Sequence, residues 1–122
     1  MRNKEDFQTI FDKLKRILTS FEDDLIVTTD EPENYYLNTP FSEKYKKELF
    51  FGAAQIKKSY VSFHLMPVYV FPDLLDDVSP GLKKRMQGKS CFNFTATDED
   101  TLSELARLTR RGFDKFRQEN LI

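Results

Sequence analysis

The chain has 122 residues, with 19 Lys and Arg against 20 Asp and Glu, leaving a formal charge of −1. That length suits one domain with an ordinary core, and 12 Phe with 5 Tyr exclude a disordered chain. Near-neutral charge argues against nucleic acid or an anionic membrane as partner, and a single Cys excludes an internal disulfide and any cysteine-rich metal site.

The first six residues, Met1 to Asp6, contain no apolar signal-like stretch, and the longest charge-free run, Ser59 to Pro72, is shorter than the roughly 20 residues of a membrane span. A cytoplasmic protein is therefore expected. Phe7, Ile10, Phe11, Leu14, Ile17, Leu18 and Phe21 recur at helical spacing, with Asp12, Lys13 and Arg16 between them. This predicts an amphipathic helix of about five turns. Leu25 to Thr29 and Tyr35 to Asn38 read as strands, joined by turn-forming residues from Asp30 to Asn34. A loop is expected from Thr39 to Lys46.

Glu48 to Lys57 and Tyr60 to Tyr69 flank Lys58-Ser59 and predict a hairpin. The expected register pairs Ile56 with Val61, Ala54 with Phe63 and Gly52 with Leu65. Directly opposed residues share a face. Phe50, Ala54, Ile56, Val61, Phe63 and Leu65 thus fall on the core side, and Phe51, Ala53, Gln55, Lys57, Tyr60, Ser62, His64 and Met66 on the other. A helical turn is expected over Pro72 to Asp77. Ser79 as N-cap and Pro80 after it predict a small helix around Leu82 to Met86, stopped near Gly88. Cys91 to Phe94 alternates as a last strand with Phe92 and Phe94 inward. Thr97 to Asp100 opens a closing helix whose buried stripe runs Leu102, Leu105, Ala106, Thr109, Phe113, Phe116. The expected architecture is α+β, two-layered: an antiparallel sheet of about five strands, with the N- and C-terminal helices packed on one face.

Gln87-Gly88-Lys89-Ser90 resembles the end of a phosphate-binding loop. Lys83 stands where the first glycine is needed, and a strand follows instead of a helix, so the motif is rejected. If the last strand lies beside the hairpin, Tyr36, Asn38, Gln55, Ser62, His64 and Asn93 share one polar and aromatic sheet face. Such a face reads as a small-ligand groove, a homodimer surface or a solvated surface. Cys91 and His64 on that face would make a thiol site only if they meet. Glu22, Asp23, Asp24, Asp30, Glu31 and Glu33 are six acids within residues 22–33. They read either as a solvated surface or as a loose site for a hard cation.

The run Glu48 to Leu65, with Phe51-Gly52-Ala53-Ala54 leading into Val61-Ser62-Phe63, resembles the central hairpin of the YdhG/YdeI-like domains of unknown function. Gly88-Lys89-Ser90-Cys91-Phe92-Asn93-Phe94, followed by an acidic helix start, is similar to that family's second signature. The resemblance implies a two-layer α+β domain. One branch of the family is associated with frataxin-like iron chaperoning, so the resemblance makes iron the cation expected at the six acids, handed on to cluster or haem assembly. Taken with this resemblance, the sequence leads to a small non-catalytic protein that requires no cofactor and binds iron or another hard cation through those acids. The alternative is a small-ligand-binding or homodimerising module that uses the sheet face.

Overall fold

The computed structural model describes residues 6–122. Helix α1 spans Phe7–Thr19, with the Asp6 carboxylate accepting from the Thr9 N–H at 2.8 Å as its N-cap. Ile10, Phe11, Leu14 and Leu18 form its buried stripe. A 3-10 turn at Glu22–Asp24 leads into β1 (Ile26–Glu31). There follow β2 (Asn34–Asn38), β3 (Phe50–Ile56), β4 (Val61–Leu65) and, after the short helices, β5 (Cys91–Phe94). The five strands form one sheet in chain order, every neighbouring pair antiparallel. Helix α4 (Glu99–Gln118) closes the chain, capped by the Asp98 carboxylate. Glu99 and Asp100 in its first turn and Lys115 and Arg117 in its last complement the helix dipole.

The α+β architecture expected from the sequence is the one observed. Both long helices pack on the same sheet face, where Tyr35, Leu37, Phe51, Phe63, Phe92 and Phe94 meet α1 and the Leu105, Leu108, Phe113 and Phe116 stripe of α4. Two short helices, α2 (Met66–Val70) and α3 (Pro80–Lys83), pack against α4. Gly112 permits the first contact, because a Cβ there would stand 2.8 Å from Pro67 Cβ. Ser79 ties the second, donating its N–H and its hydroxyl to the Glu104 carboxylate, each at 2.6 Å.

In the turn expected from Asp30 to Asn34 only Pro32 and Glu33 lie outside the strands, and three further expectations need correcting. The fourth strand ends at Leu65, not Tyr69, and Met66–Val70 is helical. Pro67 explains the change: it has no N–H for a strand ladder, and its fixed φ suits the first turn of a helix. The small helix around Leu82 to Met86 begins earlier and closes at Lys83, and Met86 bridges to Phe92 instead. The third correction exchanges Phe50 and Phe51. The β2–β3 register shifts between Leu37, opposite Gly52, and Asn38, opposite Phe50, so one residue of β3 is extra. This bulge turns Phe51 into the core, with its ring centroid 6.1 Å from that of Phe113, and sends Phe50 to the other face.

The two sheet edges differ. Arg85 to Gln87 lies along β5, with Asn93 N–H donating to the Arg85 carbonyl at 2.7 Å and Gln87 N–H to the Cys91 carbonyl at 2.9 Å. β1 forms the other edge. It carries a bulge between Val27 and Thr29, and Ile26 and Val27 are exposed.

Candidate functional site

The sheet face opposite the helices gathers residues from four adjacent strands, since β5 does lie beside β4. Register places Asn34 opposite Gln55, Gln55 opposite Ser62 and Ser62 opposite Asn93, so one polar row crosses β2 to β5. Strands lie about 4.8 Å apart, which sets the spacing of this row. The next row runs Tyr36, Ala53, His64, Cys91. Four of the residues picked from sequence alternation, Gln55, Ser62, His64 and Asn93, are therefore close neighbours, and Tyr36 lies in the His64 row. Asn38 stands one row further on, beside Phe50, where its amide donates to Glu48 at 3.4 Å.

Side-chain contacts hold this face in shape. Gln55 Nε2 donates to Asn34 Oδ1 at 3.1 Å, and the Ser62 hydroxyl donates to the Gln55 carbonyl at 3.4 Å. The Tyr36 and Phe50 rings lie 4.7 Å apart, and the Phe50 ring meets His64 edge-on at 6.4 Å. In the same rows Ala53 is 0% exposed and Ser62 1%. Asn34 and Phe50 belong to this surface but escaped the sequence reading. Asn34 lies in the stretch that reads as a turn, though its alternation with Tyr36 carries the signal of a strand. Phe50 was hidden by the bulge.

Cys91 Sγ lies 3.8 Å from His64 Nε2 and donates to Asn93 Oδ1 at 3.3 Å. Burial pushes the thiol above its ordinary value, opposed by the Lys57 ammonium. Burial, with help from Lys57, pushes the imidazole below its own. Each shift favours the uncharged form, so the pair is thiol and neutral imidazole, the reverse of an activated thiolate–imidazolium pair. With the thiol hydrogen directed at Asn93, the geometry does not prepare Cys91 as a nucleophile.

The six acids are arranged differently from the sheet face. Glu22, Asp23 and Asp24 form the 3-10 turn, Asp30 and Glu31 end β1, and Glu33 sits in the turn to β2. The Glu22 carboxylate accepts from the buried Tyr35 hydroxyl, which burial and that carboxylate together hold far above the ordinary phenol range. Lys15 pairs with Asp30 at 2.8 Å and stands over the Tyr35 ring, its ammonium 5.2 Å from the centroid. Asp24 faces Arg117 at 3.7 Å. An ammonium from α1 thus already stands among these carboxylates. Among the described residues, no group of three or more His, Cys, Asp or Glu side chains is arranged to hold a metal ion. Nor, among them, is any helix long and apolar enough to cross a membrane.

The chain matches no protein-family model, no curated protein and no solved structure.

Proposed function

We propose that this protein is a non-catalytic binding module that takes a flat, hydrogen-bonding small ligand on the sheet face opposite its helices. The observation that carries the reading is the pair of adjoining rows. Tyr36, Phe50 and His64 offer aromatic ring surface, and the Asn34–Gln55–Ser62–Asn93 row beside it offers fixed polar groups. Apolar ring surface next to a few orienting donors and acceptors is the usual make-up of a small-molecule site.

Some capacity in the row is left for a ligand. Asn34 spends its carbonyl on Gln55, and Asn93 spends its carbonyl on Cys91. Among the described residues, no hydrogen bond takes up the side-chain NH2 group of either asparagine or the side-chain carbonyl of Gln55. Lys57 is the charge that acts on His64 and Cys91, so a ligand with an electron-rich edge suits the face better than a cation.

Iron handling through Glu22, Asp23, Asp24, Asp30, Glu31 and Glu33 has less support. Three of these acids already have protein partners in Tyr35, Arg117 and Lys15. A metal would have to displace Lys15 from Asp30 to join them.

Saturation-transfer NMR against a panel of heteroaromatic amides tests the proposal. Binders should lose signal with the Gln55→Ala and His64→Ala variants while both variants stay folded. An empty screen, or binders indifferent to both substitutions, would reject the sheet face as the site.

A further inference from the structure

A second surface lies at the end of the sheet, beyond Phe50. Leu49 and Phe50 at the start of β3, Met66 and Val70 of α2, and Phe116 and Leu121 near the C-terminus line a groove of about 410 Å3. That volume is at the small end of the roughly 300–1,000 Å3 typical of small-molecule sites. Tyr45 and Tyr69 stand at its lip, 49% and 54% exposed, and Val70 beside them is 44% exposed. Exposed apolar side chains gathered in one place call for an occupant more than scattered ones do.

The charge of the lining is one-sided. Lys47 is its single charged residue, and among the described residues no carboxylate pairs with the Lys47 ammonium. The loop that carries Lys47 is held in place. Thr39 N–H donates to the Leu49 carbonyl at 2.7 Å, and Leu49 N–H to the Thr39 hydroxyl at 2.9 Å. Nearer the tip, Ser42 N–H donates to the Lys47 carbonyl at 2.8 Å. Lys46 adopts the left-handed conformation, φ 60°, that turns the chain back. Lys47 and Tyr45 are thus carried into the lining by one ordered loop, beside an otherwise apolar set of residues.

From this asymmetry we infer that the groove binds a small free carboxylate with an alkyl body, the chain lying on Leu49, Met66, Val70 and Phe116 and the head meeting Lys47. A cation would find no counter-charge in the lining. The small volume and the single charged side chain fit a one-headed molecule better than a partner's helix or a second copy of the chain.

Calorimetric titration with decanoate below its micelle concentration tests this, with decanol as the uncharged match. Decanoate should saturate one site, with amide NMR shifts centred on Leu49, Met66 and Val70. Lys47→Met keeps the apolar stem and removes the charge. It should weaken decanoate about threefold to fivefold, the upper part of the range for an exposed ion pair, and leave decanol unchanged. Gln55→Ala, on the sheet face, should change neither. Absence of saturable decanoate binding would overturn the inference, as would equal loss of decanoate and decanol in Lys47→Met. So would self-association of the chain, seen in sedimentation, that Val70→Asp abolishes and decanoate does not.

Discussion

His64 and Cys91 face each other across β4 and β5, Sγ 3.8 Å from Nε2, while the thiol donates to Asn93 at 3.3 Å. Proximity alone does not make a nucleophile; the electrostatics of the site must favour the ion pair, and here burial opposes both charges. Iodoacetamide should accordingly alkylate folded Cys91 at pH 7 more slowly than the unfolded chain, by at least about tenfold, followed by mass spectrometry. Equal rates would show an accessible, ordinary thiol.

The same two shifts fix a pH window for stability. His64 titrates in the fold below its ordinary 6.5, so the unfolded chain binds the proton first. Stability should then hold above that value and fall as pH drops through the lowered one. Cys91 titrates above its ordinary 9.0, so the unfolded chain loses the proton first and stability should decline as pH rises past that point. Urea midpoints measured across this range should show His64→Gln flattening the acid limb and Cys91→Ser the alkaline limb.

The bulge in β3 makes neighbouring phenylalanines unequal. Phe51 is buried against Phe21, Phe113 and Phe116, whereas Phe50 lies half-buried on the other face. Phe51→Ala should cost about 3–5 kcal/mol in chemical denaturation, as large core truncations do. Phe50→Ala should cost well under half as much. Reversed costs would contradict the register.

Most of the fold was legible because its signals are local. The two long helices follow from apolar spacing, and the Gly52–Leu65, Ala54–Phe63 and Ile56–Val61 register of the hairpin from alternation about Lys58-Ser59. The Phe50/Phe51 exchange was not legible, because a bulge is set by the partner strand. Pro67 did carry a warning that β4 would stop early. At the sheet face, alternation assigned His64 and Gln55 to one side, but only the β4–β5 pairing could bring Asn93 opposite Ser62. The acids were plain to see, whereas Lys15 sits far enough back in the sequence that its pairing with Asp30 was not.

Tyr35 is the buried partner of Glu22. Tyr35→Phe keeps the ring and its packing but strands the carboxylate, and should cost about 2 kcal/mol by urea unfolding, in the range for a hydrogen bond to a charged group. Adding Glu22→Gln to that variant should recover part of the loss. A neutral Tyr35→Phe would mean the carboxylate is satisfied by water.

Gly112 lets α2 rest on α4. Gly112→Ala would drive a methyl to 2.8 Å from Pro67 Cβ and should destabilise the protein by about 1–3 kcal/mol, despite the better helix propensity of alanine. An increase in thermal midpoint would show that α2 moves away at little cost.

The central claim, that the sheet face opposite the helices is the binding surface, is tested most directly by amide NMR mapping with a binding heteroaromatic amide. Saturable shifts centred on Asn34, Gln55, His64 and Asn93 are expected, and they should be lost in Gln55→Ala. Shifts confined to the helix layer, or shifts on the sheet face that depend on protein concentration and not on the added ligand, would contradict it.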